Sequence, residues 1–363
     1  MPITTRVRLD RISSATRNLH LPWEVILGDE IISAEGYALA IRILTDKSSY
    51  NTIEDVTGRM VSLRSGDILA GVLGSRRALR GYAGEVPAKL AVGDNIEVLN
   101  LGGVLGKCTS MNPEIGPPFQ AEVLGSILSF PELGDRVGKP ATIRDNAVPM
   151  ATTLECKLPI VFVVGTCMNA GKTIAATEIV RGLARSGFRV GAVKLTGVSL
   201  LRDALSMQDA GAVAFLTFND AGLASTHPGT TVAAAKGLLN QIAKNRAARP
   251  DVIVAELGDG ILGEYGVQDI LGAQDITNLA AAWVMAAPDP VACWGAAKLF
   301  EDRFKLPITA ITGPATDNGV GRDYIRDQLH LPAHNAIRDA AGLVGIVREA
   351  LQSSALVRET VGA

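Results

Sequence analysis

No apolar run in this chain of 363 residues approaches the roughly 20 that a helix needs to cross a bilayer. Stretches such as 160–164 and 280–287 are far shorter, so no membrane partner is expected. Cysteine is scarce: Cys108, Cys156, Cys167 and Cys293 show no CxxC spacing, which argues against a zinc site or a disulfide framework and for a reducing, cytoplasmic setting. Neither charge is in excess, with 35 Lys and Arg against 37 Asp and Glu, so the basic field of a general nucleic-acid binder is missing. The four histidines, His20, His227, His330 and His334, are scattered without ligand spacing. The N-terminus has arginines and hydroxyls but no apolar signal core, and it contains Asp10; a leading strand is expected there.

What is present is an ordinary globular composition, 47% hydrophobic and 20% charged, on a chain long enough for two cores. Residues 20–130 read as strands and turns, punctuated by Gly28-Asp29, Gly66-Asp67 and Gly93-Asp94, each expected to place a turn before a strand. A compact β domain, barrel or sandwich, follows from this. The stretch 131–159 is rich in Pro, Gly and charge, and a boundary near residue 150 divides a domain at 1–150 from one at 151–363. After it, strand-like and helical runs alternate: IVFVVGT, a helix at 172–185, FRVGAVKLTG, a helix near 201–210, DVIVAEL, AAWVMAAP, a helix near 290–304, ITAITG and two terminal helices. The expected class is α/β, a parallel sheet with helices on both faces preceded by a smaller β-rich domain.

The segment Gly165-Thr166-Cys167-Met168-Asn169-Ala170-Gly171-Lys172-Thr173 fits GxxxxGK[ST] and lies between an apolar strand and an amphipathic helix, the context this motif requires. Its glycines let the backbone wrap an anion, and successive N–H groups with the helix N-terminus supply positive potential. The α/β domain is therefore expected to be a parallel-sheet P-loop NTPase domain, with Gly165, Thr166, Asn169, Ala170, Gly171, Lys172 and Thr173 as its nucleotide-binding residues. Lys172 would meet the β- and γ-phosphates and Thr173 would ligate Mg²⁺. Cys167 reads as a small spacer.

Magnesium bridging phosphates takes few protein ligands, commonly one or two carboxylates, so an acidic residue should end a second buried strand. Glu256 closes 251–256 and precedes Leu257-Gly258-Asp259-Gly260; Asp259 is either a weaker ligand or a turn residue. Lys194 ends the apolar run 190–193 and would reach the same carboxyl edge. Asp203 and Asp209 follow on a helical segment, six apart and so on different faces, and at most one should reach the metal. Lys172, Lys194 and Glu256 are the candidate catalytic residues.

The loop at 165–173, the Lys194 strand end with Gly197, the segment Arg202-Asp203-Ala204-Leu205 and the Glu256 strand end resemble the motifs of dethiobiotin synthetase and its relatives. The resemblance spans about 150 residues of the C-terminal half. It implies that the loop holds ATP, that Lys194 contacts substrate and phosphates, and that an Asp and Glu256 help hold magnesium. Leu195 follows the lysine where that family commonly has proline. The chain also looks like a group of two-domain P-loop proteins, one branch of which includes a D-glutamate N-acetyltransferase; that branch implies coenzyme A in the loop.

Asp317 and Asn318, in the loop after ITAITG, suit either recognition of a nucleobase edge or capping of the following helix. The run Ser75-Arg76-Arg77-Ala78-Leu79-Arg80-Gly81 suits either a solvated basic turn or carboxylate binding. The leading expectation is an ATP- and Mg²⁺-dependent enzyme of ligase or synthetase type, activating a small carboxylic acid by phosphoryl transfer, with oligomeric state open. The alternatives are an acyl-CoA-dependent N-acyltransferase using the loop for CoA, and a nucleotide-switched module that binds a protein partner.

Overall fold

The structure, a computed structural model, describes residues 5–132, 134 and 137–354. The chain divides into two compact units. Unit 1 comprises Met1–Val148, Val198–Arg202 and Phe218–Ser225, and unit 2 comprises Pro149–Gly197, Asp203–Thr217 and Thr226–Ala363. Among the described residues no helix is long and apolar enough to cross a membrane.

Unit 1 is built on a closed ring of five strands. Phe119–Ser129 pairs antiparallel with Ala38–Ile43, which pairs antiparallel with Ile68–Leu73, which pairs in parallel with Val104–Met111. Asn95–Val98 closes the ring by pairing with both Val104–Met111 and Phe119–Ser129. The period-2 alternation of a strand sends Leu39, Ile41 and Ile43 into one core with Leu69, Leu73, Ile96, Leu105 and Phe119. The intervening Ala38 and Ala40 join a second core with Val25, Leu27 and Ile127. The leading strand Thr5–Arg8 pairs antiparallel with Glu24–Gly28. Gly66-Asp67 and Gly93-Asp94 do precede strands, with both glycines in the left-handed region. Gly28-Asp29 does not: Gly28 ends a strand, and the next begins ten residues later at Ala38. Arg76 also departs from a solvated turn. It is buried, donates to the Leu99 carbonyl and the Tyr50 hydroxyl, and lies over the Tyr50 and Tyr82 rings.

Unit 2 is an α/β layer structure. Its elements run β1 (Ile160–Gly165), α1 (Lys172–Arg185), β2 (Val190–Thr196), α2 (Arg202–Asp209), β3 (Ala214–Thr217), α3 (Thr231–Ala243), β4 (Val252–Leu257), α4 (Val267–Gly272), α5 (Gln274–Thr277), β5 (Ala280–Ala286), α6 (Pro290–Leu299), β6 (Ala310–Thr312), α7 (Gly319–Leu329) and α8 (Ala340–Ser353). The strands form one sheet in the order β3-β2-β4-β1-β5-β6, every pairing parallel. A parallel sheet is covered on both faces, which explains why every residue of β1, β2 and β4 is buried. The helix α1 presents Ala175, Ala176, Ile179, Val180 and Leu183, at three- and four-residue spacing, to the core beneath it.

The close packing of α1 on α8 makes one sign reversal testable. Gly→Ala in a helix normally gains about 1 kcal/mol. A Cβ on Gly182, however, would overlap the Val344 methyls of α8, and overpacking costs about 1–3 kcal/mol. Gly182→Ala is therefore expected to lower the melting temperature despite its better helix propensity. Adding Val344→Ala should relieve the overlap, so that Gly182→Ala costs less in that background than in the native one.

Candidate phosphate-binding site

The site is assembled at the carboxyl edge of the unit 2 sheet, where β1 runs through the loop 166–171 into α1. The loop contains two left-handed residues, Asn169 at φ +61° and Gly171 at φ +99°. Asn169 is exposed and Ala170 is buried, and Ala170 Cβ thus helps seat the loop while its exposed neighbour tops it. Gly171 occupies the N-cap of α1 and offers no side chain to bond the first N–H groups, which leaves them directed at a ligand position. The Lys172 stem lies along Gly165, where a Cβ would come 2.8 Å from its Cγ. Its ammonium group donates to the Cys167 carbonyl at 2.8 Å. Only 6% of Lys172 is exposed.

The neighbouring strands deliver opposite charges to the same edge. Lys194 on β2 is directly in register with Glu256 on β4, and Glu256 with Val163 on β1. Lys194 and Glu256 are 6% and 1% exposed. Lys194 forms an ion pair with Asp203 of α2, and the Thr173 hydroxyl donates to Glu256 Oε1 at 3.1 Å. Glu256 Oε2 is buried with no hydrogen-bond partner among the described residues. Burial pushes the Glu256 carboxyl above the ordinary carboxylate range, against the pull of Lys194 and Lys172 and helped by Asp203. Burial likewise lowers Lys172, opposed by Glu256 and Asp259. The cluster thus combines two desolvated ammonium groups with carboxylates that offset part of the cost.

Asp259 matters more than its turn position suggested. It takes a left-handed conformation at φ +67° and contributes to the field at Lys172. The chain can pass there because Gly260 has no Cβ; one would overlap the Thr166 carbonyl. The signal in the sequence is the glycine on either side of Asp259.

Two expectations are corrected. Asp209, proposed as a metal ligand, is exposed at the last residue of α2, about 9 Å along the axis from Asp203 at 1.5 Å per residue, and it is not part of the cluster. Asn318 caps α7, its side chain accepting from Gly321 N at 3.3 Å, and Asp317 Oδ1 accepts from Asn335 at 2.9 Å. The loop that carries them does meet the phosphate loop, because a Cβ on Gly313 would overlap the Ala170 carbonyl. The helix-capping alternative for Asn318 is the one realised.

No protein-family model matches the sequence, and no curated protein is similar to it at a significant level. Solved structures are similar at a low level. Chloroplast FtsY from Physcomitrella patens is 12% identical, with a TM-score of 0.37 over 56% of this chain and 68% of that one. A DUF1611 family protein from Anabaena variabilis is 14% identical, with a TM-score of 0.36 over 57% of this chain and 64% of that one. The signal recognition particle 54 kDa protein from Aeropyrum pernix, solved in complex with GDP, is 16% identical, with a TM-score of 0.36 over 57% of this chain and 51% of that one. At such scores the fold assignment rests on the geometry of β1, its loop and α1. That geometry, strand to glycine-bounded loop to helix at the centre of a parallel sheet, is a P-loop NTPase fold.

The raised Glu256 carboxyl has a thermodynamic consequence. In the window above the ordinary carboxylate range the folded protein holds a proton that the unfolded chain has released, so stability falls as pH rises through it. Glu256→Gln removes this dependence. Relative to the native protein, the ligand-free variant should gain melting temperature as pH rises through this window, superimposed on the cost of leaving Lys172 and Lys194 without the carboxylate; calorimetric melts across pH check the slope.

Proposed function

We propose that unit 2 binds ATP with Mg²⁺ and uses it to activate a small carboxylic acid by phosphoryl transfer. The observation that carries the nucleotide reading is the half-buried Thr173 hydroxyl bonded to the buried Glu256 beside Lys172, with Glu256 Oε2 lacking a hydrogen-bond donor among the described residues. A desolvated carboxylate oxygen of this kind suits a cation, and a hydroxyl beside it suits the same cation, since magnesium at polyphosphate sites takes one or two protein groups and completes its shell with water and phosphate oxygens. Among the described residues no group of three or more His, Cys, Asp or Glu side chains is arranged to hold a metal, so a closed protein cage is not the alternative on offer.

When bound, Mg²⁺ would neutralise charge on the phosphate oxygens. The protein's own part is positioning and electrostatics. Backbone N–H groups of 166–173 would hold the phosphate chain, and Lys172 would exchange the Cys167 carbonyl for a phosphate oxygen. Lys194 is the group to meet both the transferred phosphoryl and the acid, and Asp203 orients it. In the transfer, a carboxylate oxygen of the acid forms a bond to the γ-phosphorus. The bond from that phosphorus to the β–γ bridging oxygen breaks, and ADP leaves with the electron pair. The acid substrate is supported by the resemblance of the loop, the Lys194 and Glu256 strand ends and the 202–205 segment to dethiobiotin synthetase.

Ligands that bind the native state raise its apparent stability, by about 2.7 kcal/mol at a hundredfold excess over Kd. ATP with Mg²⁺ is expected to raise the melting temperature of the native protein, and Lys172→Ala should abolish the rise. Asp209→Asn should leave it intact, because that residue stands outside the cluster. GTP and acetyl coenzyme A belong in the same screen. A shift produced by coenzyme A alone and indifferent to Mg²⁺ would sink the nucleotide reading, and ATP turnover unaffected by any carboxylic acid would sink the ligase reading.

A further inference from the structure

The phosphate site of unit 2 has a direction. Lys194 on β2 and Glu256 on β4 lie to one side of β1 in the sheet, and β5 and β6 lie to the other. A triphosphate whose terminal phosphate meets Lys194 and a cation at Glu256 therefore sends its nucleoside over the β5–β6 side of the edge. There the loop after β6 comes against the phosphate loop. A Cβ on Gly171 would lie 3.3 Å from Gly313 Cα, and one on Gly313 would overlap the Ala170 carbonyl. Pro314–Thr316 makes a single 3-10 turn, and Asp317 follows it with its side chain exposed.

Asn335, only 3% exposed, holds this aspartate. Its Nδ2 donates to Thr316 Oγ1 at 3.1 Å and to Asp317 Oδ1 at 2.9 Å, and its Oδ1 accepts from Ile337 N at 3.0 Å and Arg338 N at 2.9 Å. Both donors and both lone pairs of the amide are thus in use. Reversing the amide would set oxygen against a carboxylate and NH₂ against two N–H groups, so only one orientation is satisfied. Arg322 donates to the Thr316 carbonyl at 2.8 Å and Arg338 to the Asp317 carbonyl at 3.1 Å, which fixes the main chain on both sides. Among the described residues Asp317 Oδ2 accepts no hydrogen bond. The held carboxylate presents one open oxygen.

An ionised carboxylate only accepts, so it reads a base through an N–H group on the base edge. With Oδ1 engaged by Asn335, one oxygen remains. That matches the single amino donor on the edge of adenine, whereas the two adjacent N–H donors of guanine call for both oxygens. We propose that Asp317 Oδ2 accepts from the exocyclic amino group of the adenine of a bound nucleotide, and that Asn335 is the positioning residue that aims it. This inference rests on the nucleotide binding proposed above and adds the base to it. Of the two adjacent polar residues, Asn318 is taken up by capping α7, which leaves Asp317 for the ligand.

Calorimetric titration of the full-length protein with ATP and with purine riboside triphosphate, which is ATP without the amino group, tests this, both in the presence of Mg²⁺. The native protein should bind ATP more tightly on the order of tenfold, the lower end of what a hydrogen bond to a charged group contributes. Asp317→Ala should bring the ratio to one by weakening ATP alone. Asn335→Ser keeps a short acceptor for the turn amides and loses the Nδ2 donor. It should narrow the ratio, with no further effect in an Asp317→Ala background. Arg338→Ala, which deletes a bond to the Asp317 carbonyl and spares the carboxylate, should leave the ratio native. A loosened loop weakens both nucleotides alike, so the ratio separates aiming from mere support. Should Asn335→Ser not fold, Asn335→Asp retains the acceptor, turns an oxygen toward Asp317 in place of the donor, and should narrow the ratio likewise. A ratio of one in the native protein, or a native ratio in Asp317→Ala, overturns the assignment and leaves the nucleotide reading standing. A native ratio in the Asn335 variants overturns the positioning role, and GTP bound more tightly than ATP, with Asp317→Ala weakening GTP, overturns the choice of adenine. Binding of none of these nucleotides removes this inference together with the function it rests on.

Discussion

Oppositely charged side chains buried together at one edge of a parallel sheet are the constraint from which the rest of unit 2 follows. Lys194 and Glu256 are held opposite one another by strand register, and Lys172 enters from the helix that follows the central strand. An isolated buried charge is far costlier than a paired one, so these groups require one another and require the register that joins them. In a strand the side-chain period is two, and a shift of one residue would turn Glu256 to the other face. The buried runs of β1, β2 and β4 therefore do more than form a core: their apolar packing fixes the register, and the register sets which charges meet.

Much of this edge was legible in the sequence because it depends on local pattern. The loop is a contiguous motif between a strand and a helix, and Lys194 and Glu256 each end an apolar run, so a parallel sheet sends them to a common edge without further information. The helix α3 is equally legible, since its buried positions 234, 235, 238, 239 and 242 have helical spacing. What the sequence withheld depended on tertiary neighbours. Nothing local distinguishes Asp203 from Asp209 as a partner for Lys194. Asn318 had two uses consistent with its chemistry, and the start of α7 took the capping one. Arg76 reads as a surface residue, and only the converging rings of Tyr50 and Tyr82 and the Leu99 carbonyl make its burial tolerable.

In unit 1 the same division appears between strands and closure. Alternation of large and small residues along Ala38–Ile43 marks a strand with two covered faces, and two of the Gly-Asp pairs use a common device. Asp67 accepts from Arg64 N and Asp94 from Ala91 N, each three residues back, at 2.9 and 2.8 Å. The glycine before each aspartate supplies the left-handed conformation that the turn requires. Among the described residues Asp29 accepts no such bond, consistent with Gly28 ending a strand. Closure of the ring depends on Asn95–Val98 pairing on both sides, a long-range fact that no single segment encodes.

The ligand-free arrangement also bears on where binding energy at this edge originates. Lys172 already donates to the Cys167 carbonyl and Thr173 to Glu256, so a polyphosphate replaces existing bonds as well as adding new ones. Exchanged hydrogen bonds contribute little net free energy, whereas a buried group without a partner carries its full desolvation cost. The gain from a ligand should therefore concentrate on groups that lack partners in the free protein: the N–H groups at the start of α1, which Gly171 leaves uncapped, and Glu256 Oε2, which a cation would satisfy. On this argument Thr173 acts chiefly as a selector, the main chain and the buried carboxylate would gain partners they lack, and Lys172 would trade a neutral carbonyl for a charged phosphate oxygen, a gain large enough for binding to depend on it.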